Sequence, residues 1–178
     1  MKFYTVDVSY LKKLYDADSE VDYRDDYQTK PYIGIVHRLG NYDYFIPLTS
    51  AKERHKGYSN KTNYTYLIYE MLSKKDIILP NWVCVQSEQN IKHILALLDL
   101  RKMIPVPNKY YSLIDMDNLT DRDYRNLLIK ELIFLKPLWT SICKKAQNIY
   151  QRQKETGVVS KMCCTFDKLE KIYDEEMK

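Results

Sequence analysis

The hydrophobic period of this sequence turns from mostly strand-like to helical near Thr120, and that change restricts the fold more than any other feature. Before it, short runs rich in β-branched and aromatic residues alternate with turn residues. The runs are Lys2 to Thr5, Tyr32-Ile33-Gly34-Ile35-Val36, Tyr42 to Leu48, Tyr64 to Leu72 and Ile77 to Gln86, and they read as strands. After it, Tyr124, Leu127, Leu128, Leu132 and Leu135 recur at helical spacing until Pro137. A second apolar stripe, Trp139, Ile142, Ala146, Ile149 and Tyr150, stops near Gly157, and a third starts at Thr165 with Phe166, Leu169, Ile172 and Tyr173. Strands first and helices later specify an α+β fold: an antiparallel sheet or small barrel with helices packed against it.

Local signals divide the first two thirds further. Tyr10, Leu11, Leu14 and Tyr15 predict a helix capped by Asp7 or Ser9. Asp16 to Lys30 is densely charged and reads as a long exposed loop. Gly40 and Asn41 suit a hairpin turn, and Pro47 is expected to end or bend the strand after it. Thr49 to Asn63 should then leave the sheet, and Pro80-Asn81 suits a turn. Ile94 to Leu100 fits a helix or a buried strand equally well. Met103 to Val106 is extended by its prolines, and Tyr111 to Ile114 is a further short strand. Thr120 is placed to cap the first late helix.

A chain of 178 residues fits one domain, 1–178, with a sizeable core. Its net charge of +4 attracts phosphate only where the cations cluster. Cys84, Cys143, Cys163 and Cys164 have no CxxC spacing, which reads as free thiols in a reducing cytoplasm. The scattered His37, His55 and His93 provide no zinc-ligand spacing with them. The opening Met1-Lys2-Phe3-Tyr4 reads as a strand, not a signal peptide, and no apolar run approaches the roughly 20 residues that span a bilayer. Most of the 17 tyrosines suit sheet packing, and about one or two suit base stacking.

The chemistry concentrates in Pro47-Leu48-Thr49-Ser50-Ala51-Lys52-Glu53-Arg54-His55-Lys56. A strand delivers two hydroxyls at its end, then several cations in one short stretch. RNA carries its own nucleophile, the 2′-hydroxyl, so cleavage requires only that this group be aligned and that charge growing on the phosphoryl oxygens be stabilised. Lys52 suits the second task as an ammonium. Thr49 and Ser50 suit hydrogen bonding to phosphate or ribose. The same residues also fit a solvated basic turn.

The opening Met1-Lys2-Phe3-Tyr4-Thr5, the runs Tyr32 to Val36, Ile46 to Lys52 and Lys102 to Val106, and the later Tyr124 to Leu128, Lys145-Ala146 and Cys164-Thr165-Phe166 resemble the ToxN/AbiQ family of type III toxin–antitoxin endoribonucleases, which also act in phage abortive infection. The resemblance implies a Kid/MazF-like antiparallel β-barrel core with additional, mostly C-terminal helices. It implies metal-independent RNA cleavage without a cofactor, leaving a 2′,3′-cyclic phosphate and a 5′-hydroxyl. It also implies inhibition by a small pseudoknot antitoxin RNA that the toxin processes, a toxin–RNA hetero-oligomer, and cellular or phage RNA as substrate.

By the same resemblance Ser50 takes the active-site serine position, with Thr49 beside it and Lys52 as catalytic lysine. Tyr27 and Lys30 match a flanking Tyr and Lys when one residue is deleted between them. Arg54, His55, Lys56, Lys61, Lys144, Lys145, Arg152 and Lys154 are candidate RNA contacts, each also readable as a solvated charge. His55 further suits acid–base work near neutral pH. Arg54 replaces an aromatic common after the lysine, and Tyr64 to Asn90 is longer than in the family. Two other readings fit the residues: a non-catalytic RNA-binding module, and a toxin that acts on a protein partner.

Overall fold

A computed structural model describes residues 1–24, 33–59, 62 and 64–178. The elements run β1 (Tyr4–Val6), α1 (Val8–Ala17), β2 (Ile33–Leu39), β3 (Tyr42–Ser50), a 3-10 turn (Glu53–Gly57), β4 (Thr65–Ser73), β5 (Val83–Gln86), β6 (Asn90–Asp99), β7 (Ile104–Pro105) and β8 (Tyr111–Leu113). Then come α2 (Arg122–Leu135), α3 (Trp139–Thr156) and α4 (Phe166–Glu176). The strands form one antiparallel sheet in the order β4-β6-β3-β2-β1-β8, with β5 also on β6 and β7 also on β3. Among the described residues no ladder joins β4 to β8, so the sheet is open rather than a closed barrel.

Local chemistry accounts for most of the boundaries. Asp7 caps α1 by accepting the Ser9 N–H at 2.7 Å. Gly40 takes a φ of 57°, the left-handed conformation that lets β2 turn into β3. Gly157 ends α3 in the same way. Asp121, not Thr120, caps α2, accepting the Tyr124 N–H at 3.0 Å; its carboxylate is the stronger acceptor for the first turn.

Three expectations need correction. β3 runs through Pro47 to Ser50, because by that point it is paired to β2 at Gly34 and gains β6 as a new partner from Leu48 onward. Of Ile77 to Gln86, only Val83 to Gln86 is strand. The loop after α1 is not wholly exposed: Asp18 is buried and accepts N–H groups of Thr165 (2.6 Å) and Glu20 (3.0 Å), tying the end of α1 to the start of α4. Burial pushes the Asp18 carboxyl up, but these hydrogen bonds outweigh it and hold it below its usual range. The ambiguous Ile94 to Leu98 run is strand, buried on both sides of the sheet.

The main core lies between the sheet and the helices. Ile35, Phe45 and Leu98 from the strands meet Leu128, Ile142 and Phe166 from α2, α3 and α4. Tyr44 is fully buried; its hydroxyl donates to Glu170 Oε1 at 2.8 Å, and its ring edges onto Tyr150 and Phe166. All four cysteines are free. No helix among the described residues is long and apolar enough to cross a membrane.

Gly34 sets how closely β2 approaches β3. A Cβ there would stand 2.2 Å from the Ile46 carbonyl oxygen and 2.6 Å from the Phe45 ring. Gly34→Ala should therefore cost about 1–3 kcal/mol in urea unfolding, or more if the strands cannot part; an unchanged midpoint would show that the close approach is not needed. A second costly position is Glu131, buried on α2, where burial pushes its carboxyl up to about 8. The folded chain holds this proton more tightly than the unfolded one, so its contribution to stability is full below about pH 4.5 and is lost as pH rises to about 8. Glu131→Gln should raise the melting temperature at pH 8.5 by several degrees and change it little at pH 5. Equal shifts at both pH values would show that Glu131 is not titrating in this way.

Candidate active site

The site is built where β6 changes neighbours. Along one edge of β6, Leu98, Leu97 and Ala96 pair with Leu48, Thr49 and Ser50 of β3. Beyond Leu95 that edge belongs to β5, with Val83 opposite Ile94 and Cys84 opposite His93. The Ala51 N–H donates to the Leu95 carbonyl at 3.2 Å as the last bond of the β3 ladder. The arriving β5 blocks any further pairing, so the chain must leave the sheet at Lys52. Strand exchange thus fixes where the hydroxyls and the ammonium stand.

Alternation decides which side each faces. Ala51 packs on the small apolar cluster of Leu67, Val83, Ile94 and Leu97. Lys52 is extended (φ −135°, ψ 153°), so Ser50 and Lys52, two apart, project from the side opposite Ala51, and both are exposed. Thr49 stands directly opposite Leu97 and shares the small cluster's side, half-buried. The structure therefore brings Ser50 and Lys52 together and sets Thr49 behind them.

The turn after Lys52 is held by His55. The Lys52 N–H donates to His55 Nδ1 at 3.1 Å, and the His55 N–H donates to the Lys52 carbonyl at 2.8 Å. The imidazole is fully buried, which corrects its place among the RNA contacts: no surface of it is open to a ligand. A ring that accepts at Nδ1 carries its proton on Nε2 when neutral, and Nε2 has no partner among the described residues. Burial first, then the charges of Arg54 and Lys52, push the imidazole below its ordinary value. Two cations thus act on the buried ring.

The remaining candidates scatter. Tyr27, Lys30 and Lys61 lie outside the described residues. Arg54 is exposed beside Lys52, and Lys56 is paired to Glu53 at 2.7 Å. Lys154 is held by Asp167 and, at 2.6 Å, by Glu170, so a phosphate would have to compete with two carboxylates for it. On α3, Lys145 donates to the Thr62 carbonyl (3.1 Å) and lies over the Tyr66 ring, while Lys144 and Arg152 are exposed.

Sequence reasoning missed a polar group beside the strand exchange. His93 Nδ1 lies 2.9 Å from Glu70 Oε1, Lys130 Nζ lies 2.8 Å from the other Glu70 oxygen, and the Trp82 ring stacks on His93 at 4.0 Å. These residues lie on β4, α2, β6 and the approach to β5, so no spacing in the sequence links them. Only the β4–β6–β5 register does.

The family description "Toxin ToxN, type III toxin-antitoxin system" matches residues 2–174. The chain is 29% identical to the endoribonuclease ToxN of Bacillus thuringiensis subsp. kurstaki, over 98% of this chain and 83% of that one. It is 25% identical to the endoribonuclease AbiQ of Lactococcus lactis subsp. lactis, over 96% and 86%. A solved bacterial type III toxin–antitoxin structure, in which a non-coding RNA pseudoknot selectively inhibits the toxin, has a TM-score of 0.74 at 27% identity, covering 99% of this chain and 98% of that one. The structure of AbiQ, a lactococcal anti-phage endoribonuclease, shares the fold with a TM-score of 0.67 at 23% identity, covering 99% and 98%. Matched by the family model along nearly its whole length and sharing the fold of solved members, the chain belongs to the ToxN toxin family of type III toxin–antitoxin systems.

Proposed function

We propose that this protein is a metal-independent endoribonuclease toxin, restrained by a small pseudoknot RNA that it processes itself, and that residues 1–178 act as one toxin domain in the cytoplasm. The observation that carries the reading is the exposure of Ser50 and Lys52 on one side of the β3 exit, in a chain of this family. In the reaction the ribose 2′-oxygen attacks the adjacent phosphorus and gives up its proton. The bond from phosphorus to the 5′-oxygen breaks, and that oxygen takes a proton. The products are a 2′,3′-cyclic phosphate and a 5′-hydroxyl.

Lys52 stabilises the charge that grows on the phosphoryl oxygens and donates to the leaving oxygen. Ser50 orients the phosphate for in-line attack. Thr49, on the reverse side, acts through the strand it anchors. Tyr27 and Lys30 flank the scissile group, and Arg54, Lys144, Lys145 and Arg152 hold phosphates further along. The fold kinship belongs to the same reading: β1 and β4, near opposite ends of the sheet, bury residues in one core, as a Kid/MazF-like barrel whose ladder stays open would do.

Purified Lys52→Ala should cut a long transcript about a hundredfold or more slowly than wild type, and Ser50→Ala about tenfold or more slowly, while wild-type cutting persists in EDTA. Mass spectrometry of the ends should find cyclic phosphate. Full activity in Lys52→Ala, or loss of wild-type cutting in EDTA, would defeat the proposal. RNA left intact under all salts would favour the RNA-binding module, or a toxin acting on a protein.

Protonating His55 would place a proton on Nδ1 and break its bond from the Lys52 N–H. Because the imidazole sits below 6.5 in the fold, it is neutral at pH 7, and its stabilising effect is lost as pH falls from about 6.5 through that lower value. Cleavage should therefore fall on the acid side. His55→Asn, whose side-chain oxygen can accept the same N–H, should flatten that limb. A limb with an unmoved midpoint in the variant would assign it to another group.

A further inference from the structure

A recess lies at the start of β4, against α3. It encloses about 210 Å³ and is lined by Tyr64, Lys145, Asn148, Ile149, Arg152, Gln153, Val158, Ser160 and Cys163. Its chemistry is selective. No carboxylate lines it, and two cations do. Lys145, Asn148, Ile149 and Arg152 follow the helical spacing of one face, so α3 presents them as a single wall. Among the described residues no carboxylate pairs with the Arg152 guanidinium.

The opposite wall is Tyr64, and its ring is braced. The Arg101 guanidinium lies over it at 5.7 Å, and Arg101 is itself fixed by Asp99 through Nε (2.9 Å) and Nη2 (2.6 Å). Gln153, at the base, has both ends of its amide occupied: Nε2 donates to the Cys164 carbonyl and Oε1 accepts the Phe166 N–H. It is wall, not ligand. The Asn148 amide and the Ser160 hydroxyl remain to read a polar edge. A rigid aromatic face, an apolar side from Ile149 and Val158, two free polar groups and unpaired positive charge at the rim together describe a receptor for one flat heterocycle joined to a phosphate.

We infer that this recess takes a single unpaired nucleotide of bound RNA, its base extruded from the strand and laid along Tyr64, with Arg152 and Lys145 on the adjoining phosphate. The inference rests on the RNA-cleaving reading above. The register places the recess within reach of the site: Thr65 pairs with Asp99, and Ser50 with Ala96, about 10 Å apart along β6 and, with β4 and β3 on its opposite edges, about 10 Å apart across it. One strand of RNA can occupy both. The nucleotide can come from a substrate or from the inhibitory RNA, since the chemistry is shared.

The probes are 2′-O-methyl 12-mers of A, C, G or U, which cannot be cut, and an abasic 12-mer of the same backbone. Binding is read by fluorescence anisotropy on the full chain. Wild type should bind at least one base-bearing 12-mer about tenfold or more tightly than the abasic one. Ile149→Trp, which fills the recess, and Tyr64→Ala should erase that preference and leave abasic binding unchanged. Arg152→Ala, at an exposed position that does not threaten folding, should weaken all the 12-mers and reduce the salt dependence by about one phosphate contact. An Ile149→Trp protein that keeps its base preference, or loses abasic binding equally, overturns the inference.

Two arms separate the sources. If Ile149→Trp slows cutting of a long transcript but not of a dinucleotide, the recess serves substrate. If it weakens only inhibition by a pseudoknot RNA, the recess serves the inhibitor. Dinucleotide cutting abolished in Lys52→Ala alongside normal base preference in Ile149→Trp would sink the recess and spare the active site. Dinucleotide cutting retained in Lys52→Ala would do the reverse.

Discussion

The three residue pairs between Leu48–Ser50 and Ala96–Leu98 hold the rest of the arrangement in place. Without them β3 would be paired only on β2 and, near Tyr44 and Phe45, on β7, and its end would be free to move. With them, the strand runs as far as β5 allows and stops at a fixed point. A one-residue slip in this register would turn Ser50 and Lys52 toward the small apolar cluster and Ala51 outward. The apolar demands of Leu97 on one side and Leu98 on the other therefore specify the orientation of groups that are themselves exposed. The bulge in the β4–β6 ladder, between Ile68 and Tyr69, falls beside the same point. There β6 keeps both partners supplied while its register shifts.

His55 adds a second constraint of a different kind. A neutral, buried ring accepts the Lys52 N–H and shields the turn from solvent. Keeping it neutral suits its surroundings, because a third cation beside Lys52 and Arg54 would repel both. The result is a short segment whose backbone is fixed by an uncharged group and whose exposed charge comes from side chains alone. Fixed charge that needs no rearrangement is what a transition state gaining negative charge requires.

How much of this is legible from residues alone depends on the distance over which the cause acts. The late helices, the β2–β3 hairpin and the cap at Asp7 follow from neighbours a few positions apart, and the sequence carries them openly. The grouping of Ser50 and Lys52 is also local. What is not legible is anything decided by the sheet register. Pro47 looks like a stop until β6 arrives as a partner for the residues that follow it. His55 looks solvated until the turn folds it under Tyr58 at a ring distance of 5.1 Å. Lys154 resembles every other lysine on α3 until α4 brings Asp167 and Glu170 to it. The Trp82–His93–Glu70 group and the Arg101–Tyr64 brace join residues more than ten positions apart, whose types alone suggest sheet packing.

The geometry also separates two kinds of interaction. Lys52 and Ser50 stand at the end of a strand held by β2 as far as Pro47 and by β6 from Leu48, where contacts can sharpen as charge moves. The recess on α3 lies across β6 from them, and on the proposed reading no bond changes there. Contacts made equally before and during the reaction lower the free energy of the bound state and the barrier top together, so they add affinity without adding rate. An RNA that fills the recess while presenting no aligned 2′-oxygen to Lys52 would use the same binding energy and stall there. On the proposed reading one surface would serve substrate and inhibitor alike, and alignment at Ser50 and Lys52, not grip, would decide which of the two an RNA becomes.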